Sequence, residues 1–259
     1  MLWNDYMKVT ARLLLVTALG VGLWAQATPP AHAADDTAFT DNQKQVLDGL
    51  IRDYIMRHPE VIMDSLQAMQ ERERLAQQRM QEERVAALGN AIERDPDDPI
   101  LGNPDGNVTL VEFFDYQCGY CKRMLEPLIN FARADGNLRI VMKEFPILGP
   151  ESMIAAKASL AARRQGKYEA FHLALMSLKG RLSEPAIFQT ALEVGLDTEK
   201  LRQDMETPAV LDHIRKTREL GEALSVRGTP AFIIGGTIVP GAIGEDRLAD
   251  LVAKARTKG

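Results

Sequence analysis

Two cysteines, Cys118 and Cys121, are the only ones in the 259-residue chain, and they lie three apart as Cys-Gly-Tyr-Cys. They come soon after an apolar run, Val108-Thr-Leu-Val-Glu-Phe-Phe114. A strand feeding a helix that opens on Cys-x-x-Cys is the arrangement of a thiol–disulfide redox pair. On the first turn of a helix, side chains three apart share a face. The two thiols can therefore close into a disulfide, or open, with little backbone movement. The unpaired N–H groups and partial positive charge of the helix start favour thiolate over thiol at Cys118, and the thiolate is the attacking species. Gly119 and Tyr120 lie between the sulfurs and bear on the reduction potential; Tyr120 offers no cation there. No metal and no cofactor beyond the redox pair itself is expected. Zinc needs four ligands, there is no second cysteine pair, and His32, His58, His172 and His213 recur at no ligand spacing. As a structural staple the pair is poor, because so short a loop constrains the unfolded chain very little.

A second feature stands far along the chain. Val226-Arg-Gly-Thr-Pro-Ala-Phe232 sets Pro230 just before a strand that should lie in the sheet core. Proline cannot donate to a ladder, so the pattern predicts a bend there, through a cis Thr229–Pro230 bond.

The elements that must position these residues read as follows. Residues 1–33 form a secretory signal, with Lys8 and Arg12 ahead of the apolar core Leu13–Ala25 and a small-x-small site at Ala31-His32-Ala33. Met7 is the better start. Both tryptophans, Trp3 and Trp24, fall in this leader. Export implies an oxidising compartment, the periplasm. The formal net charge of −5 argues against a nucleic-acid partner.

Residues 34–70 form a helical segment with apolar residues at 46, 47, 50, 51, 54 and 55, a stripe at helical spacing. His58-Pro59 interrupts it, and Val61, Ile62, Leu66 and Met69 continue it. Residues 71–95 are too polar to bury much and read as a solvated linker helix running unbroken from Pro59 to Ala91. A polar spacer that separates the stripe from the rest of the chain makes another copy its partner, so self-association is expected.

Residues 96–259 read as one α/β domain: strand Val108–Phe114, helix from Cys118 to about Ala134, and strand Leu138–Phe145. A helical insertion over about 150–224 follows, then the hairpin Ala231–Pro240 turning at Gly235-Gly236, and a last helix over about Glu245–Ala255.

Strand-Cys-x-x-Cys-helix with a later Thr-Pro before a hairpin resembles the thioredoxin fold, and the helical insertion resembles its DsbA-like branch. The phrases Ile51-Arg-Asp-Tyr-Ile55, His58-Pro-Glu-Val-Ile62 and Lys143-Glu-Phe-Pro-Ile-Leu-Gly-Pro150 are similar to the suppressor-of-copper-sensitivity protein C (ScsC) group. That resemblance spans essentially the whole mature chain. It implies Cys118 as nucleophile, Cys121 as resolving thiol, and Thr229-Pro230 as a cis turn that docks substrate. It also implies Glu112 as a buried acid able to take the proton of Cys121; the alternative for Glu112 is an edge-facing strand residue. It implies a homo-oligomer, a trimer by family likeness, acting on disulfides of misfolded or copper-oxidised envelope proteins and reset by a membrane reductase. The leading expectation is a disulfide isomerase and reductase. A dithiol oxidase is the alternative, and a Cu(I)-binding protein using the two soft thiolates is a third.

Overall fold

The structure is a computed structural model and describes residues 39–258. The leader, the start at Met7 and both tryptophans lie outside the described residues. The chain divides into two compact units, one ending at Met63 and one beginning at Asp64.

In the first unit, helix α1 (Asp41–Arg57) starts at a capping box, where Thr40 and Gln43 satisfy each other's backbone N–H groups. No residue of α1 is buried. Val46, Leu50, Ile51 and Tyr54 are 58, 61, 48 and 53% exposed, so the apolar stripe is left open among the described residues. Helix α2 (Glu60–Ala87) begins after Pro59 and runs into the second unit.

Over Glu71–Arg84 the polar character holds, with local pairs such as Arg74–Glu71 at 2.7 Å. The expected single helix to Ala91 does not form. It breaks at Leu88 and resumes as α3 (Gly89–Glu93). The break follows from Gly89, a poor helix former. The end of this segment is also not solvated: Val85 and Ile92 are buried with Val111, Phe113 and Leu220. Val85, Leu88 and Ile92 return at helical spacing, a short apolar face that the polar composition of 71–95 concealed.

The second unit is built on a five-stranded sheet in the order β1-β3-β2-β4-β5. Strand β2 (Val108–Phe114) is central. It pairs in parallel with β3 (Leu138–Glu144) and antiparallel with β4 (Ala231–Ile234), which turns through Gly235-Gly236 into β5 (Thr237–Pro240). Both turn glycines have positive φ, 53° and 81°, which glycine alone adopts freely. Strand β1 (Ile100–Gly102), antiparallel to β3, was not anticipated. Its three residues sit among breakers, too few to show a period.

Helix α4 (Gly119–Asp135) follows β2. The insertion after β3 comprises α5 (Pro150–Ala162), a 3₁₀ turn at Arg163–Gln165, α6 (Tyr168–Ser177), α7 (Glu184–Glu193), α8 (Thr198–Met205) and α9 (Pro208–Ala223). Ser183 and Asp197 cap α7 and α8 as their residue types predict. Helix α10 (Glu245–Lys258) closes the unit. This is a mixed thioredoxin-like sheet with a helical insertion.

Alternation along β2 sorts its side chains between two cores. Leu110 and Phe114 pack with Ile140, Met142, Phe232 and the α4 residues Cys121, Met124 and Leu128. Val111 and Phe113 pack on the other face with Val141, Ile233 and Leu220 of α9. Glu112 shares the parity of Leu110 and Phe114, and so faces the side that holds the cysteines.

Candidate active site

The loop from β2 to α4 is pinned before it reaches the sulfurs. Asp115 is 2% exposed. Its carboxylate accepts from the N–H groups of Gln117, Ile147 and Leu148 at 2.8, 2.8 and 2.9 Å and from the Ser152 hydroxyl at 2.7 Å. Its carbonyl accepts from the Cys118 N–H at 3.0 Å. Four donors on one carboxylate fix the turn that delivers Cys118.

Cys118 is the N-cap of α4 rather than a residue of its first turn. Its Sγ accepts from the Cys121 N–H at 3.4 Å and donates to the Thr229 carbonyl at 3.1 Å. A sulfur at an N-cap takes the place of the usual capping oxygen, so the helix start offers hydrogen bonds to a thiolate there. Thr229–Pro230 is cis, as its place before β4 predicts. Thr229 Oγ1 is buried without a hydrogen-bond partner among the described residues.

Cys121 lies behind Cys118 and has no exposure. Burial pushes its thiol well above the ordinary cysteine range, and the negative charge of Glu112 adds to the push. Glu112 is itself 3% exposed in the central strand, so it is not an edge residue. Burial raises its carboxyl to about 8. The site thus holds one sulfur at a helix start and one buried sulfur beside an acid that titrates near neutrality.

Tyr120 is 60% exposed. A cation does stand at this face: the Arg123 guanidinium lies 4.3 Å from the Tyr120 ring centroid. It comes from one helical turn further on, which the tetrapeptide alone does not reveal.

The DSBA-like thioredoxin domain matches residues 109–253, more than half of the chain. The chain belongs to the DsbA-like thioredoxin family. The N-terminal domain described for copper resistance protein ScsC matches residues 43–76. A thioredoxin-like oxidoreductase from Silicibacter pomeroyi is 48% identical; it covers 65% of this chain and 97% of its own, with a TM-score of 0.64. A linker-deleted Proteus mirabilis ScsC is 27% identical and covers 86% of this chain and all of its own, with a TM-score of 0.65. Among curated proteins, a Na(+)/H(+) antiporter NhaA of Herminiimonas arsenicoxydans is 30% identical over 181 residues, 68% of this chain. This chain spans only 29% of that relative's length. No described helix of this chain is long and apolar enough to cross a membrane.

Within the DsbA-like frame, the structure brings together Glu112, Cys118, Cys121, Thr229 and Pro230, and leaves Tyr120 at the rim. Two participants were missed from sequence. Asp115 could have been suspected from its position three residues before Cys118, where a carboxylate closes a turn. The buried group around Tyr116 carries no such signal. The Tyr116 hydroxyl lies 3.0 Å from Glu144 Oε1, 2.6 Å from Ser159 Oγ and 3.0 Å from His172 Nδ1, and Tyr168 donates to the same Glu144 oxygen at 3.0 Å. Burial raises the Glu144 carboxyl well above its usual range and lowers His172 to about 3. This neutral network ties β3 to α5 and α6 beneath the redox loop.

Proposed function

We propose that this DsbA-like chain is an exported, homo-oligomeric disulfide isomerase and reductase that works through a mixed disulfide at Cys118. The observation that carries the reading is the placement of the Cys118 sulfur, held between the Cys121 N–H and the Thr229 carbonyl with a buried thiol behind it. The Cys118 thiolate attacks one sulfur of a substrate disulfide. The substrate S–S bond breaks, a mixed disulfide forms, and the departing substrate sulfur leaves as thiolate and takes up a proton. In isomerisation that freed thiol opens another bridge, and a substrate thiolate finally displaces Cys118 unchanged. In reduction, the ionised fraction of Glu112, a minority below about pH 8, takes the proton of Cys121, which attacks the Cys118 sulfur. The Cys118–Cys121 disulfide forms, the substrate leaves as a dithiol, and a membrane reductase must return two electrons. Thr229 and Pro230 form the edge against which the substrate backbone docks.

The uncovered stripe on α1 favours isomerase over oxidase. Several catalytic units held on one oligomer surround a misfolded client and hinder access by an oxidising partner. The test is reactivation of a scrambled multi-disulfide substrate by the full mature chain and by a chain beginning near Glu71, which lacks the stripe but keeps the buried Val85 and Ile92. The full chain is expected to reactivate it and the shortened chain to retain only reduction. Equal reactivation by both removes the argument from oligomerisation. The redox state in cells separates the oxidase reading, since an isomerase is found mostly as dithiol.

A further inference from the structure

The segment between α3 and β1 reads Asp95-Pro-Asp-Asp98 and lies against the middle of α9 at His213. One ligand atom each from Asp95, Asp97 and His213 lies within 4.8 Å of the other two. His213 is 5% exposed, yet among the described residues neither of its ring nitrogens has a hydrogen-bond partner. Buried imidazoles are ordinarily satisfied, and one that is not calls for an explanation. Its Nε2 stands 3.4 Å from Asp98 Oδ1, an oxygen that also lacks a hydrogen bond. The other Asp98 oxygen is taken by the buried Lys143 ammonium. Asp97 and His213 line one open cavity of about 350 Å³ together with Leu160, Arg163, Thr207 and Val210.

The cations nearby are otherwise engaged. Lys143 pairs with Asp98, and Arg163 donates to the backbone carbonyls of Pro96 and Asp97 rather than to a carboxylate. Among the described residues, no ion pair involves Asp95 or Asp97. A half-exposed carboxylate whose Oδ1 accepts from the Asp97 N–H at 2.9 Å, an exposed one and a buried imidazole without a hydrogen bond among the described residues therefore converge.

The geometry points to a divalent transition-metal site formed by Asp95, Asp97 and His213, with Asp98 orienting the imidazole. One imidazole with carboxylates is a donor set for borderline ions such as Zn²⁺. It lacks the sulfur that selects Cu(I), and so differs in kind from the Cys118–Cys121 pair. Asp98 Oδ1 beside Nε2 occupies the position of the carboxylate that fixes the tautomer of a metal-bound histidine. Bonds of about 2.0–2.1 Å bring ligand atoms to roughly 3.4 Å from one another. The exposed Asp97 side chain has room to close that distance. A bound ion ties the exit of the linker to α9, the last helix of the insertion.

The experiment is calorimetric titration of zinc chloride into the full mature chain with Cys118 and Cys121 oxidised, so that no thiolate competes. One zinc per chain is expected. Asp97→Asn and Asp95→Asn should each weaken binding by about tenfold or more. Zinc should also raise the thermal midpoint of the oxidised protein, and Asp97→Asn should abolish that rise. His213→Gln should lose binding; because His213 is buried, its fold is checked by circular dichroism, and the two aspartate variants decide the matter if it unfolds. Absence of zinc binding, undiminished binding in both aspartate variants, or binding lost instead with His58→Ala overturns the assignment.

Discussion

Cys118 and Cys121 are chemically unequal because their surroundings are. Cys118 shares its sulfur with a helix start and a carbonyl and keeps 6% exposure, while Cys121 is sealed behind it at 0%. Cys118→Ser is expected to abolish insulin reduction. Cys121→Ser is expected to leave attack intact but block resolution, so that mixed disulfides accumulate on non-reducing gels. Glu112 gives a second prediction. An unfolded glutamate loses its proton near pH 4.5, whereas native Glu112 keeps its proton to about 8. Between those values the native state holds more protons, so this residue lowers stability as pH rises through the window, and has no effect below it. Glu112→Gln removes that dependence. Its gain over the parent in chemical denaturation should be absent near pH 4 and reach roughly 3 kcal/mol by pH 7. The same variant should slow the resolving step and spare the formation of mixed disulfide. A stability gain that does not change with pH would refute the burial argument.

At the scale of elements, most limits were legible. Ser183 and Asp197 announce helix starts, Gly166 and Gly195 follow helix ends, and Gly235-Gly236 marks the hairpin. Each works through hydrogen bonds or dihedral limits within a few residues, which a linear reading captures. Strand β1 and the break at Leu88 escaped because short elements are settled by their neighbours. Strand β1 exists because β3 offers a free edge. The packing of α9 on the sheet was equally hidden. A Cβ added at Gly221 would stand 2.6 Å from Phe145 Cε2, so the glycine is there for close approach. Gly221→Ala is expected to push α9 away from β3 and cost about 1–3 kcal/mol, read as a lower midpoint in urea. An unchanged midpoint would mean that Phe145 yields freely.

For the whole molecule, the decisive surface is the one left bare on α1. Leu50 and Ile51 are 61 and 48% exposed in a single chain, a contiguous apolar face of the kind that marks association. Leu50→Lys with Ile51→Lys is expected to reduce the assembly to monomers, measured by light scattering over a dilution series. Insulin reduction per chain should persist and reactivation of scrambled substrate should fall. A parent chain that is already monomeric at micromolar concentration contradicts the oligomer itself.

By itself the sequence determined the redox pair, the strand that leads into it, the proline that bends toward it, most limits of the insertion's helices and the apolar stripe. These are recorded in residue type at short spacing, where caps, periodicity and chain breakers act. Only the tertiary structure decided what meets the sulfurs and what meets His213. The Cys118–Thr229 contact joins residues 111 apart in the chain, and Asp95 and Asp97 reach His213 only because α9 folds back over the linker exit. Such contacts are made by packing the sheet against its insertion, and no local pattern encodes them.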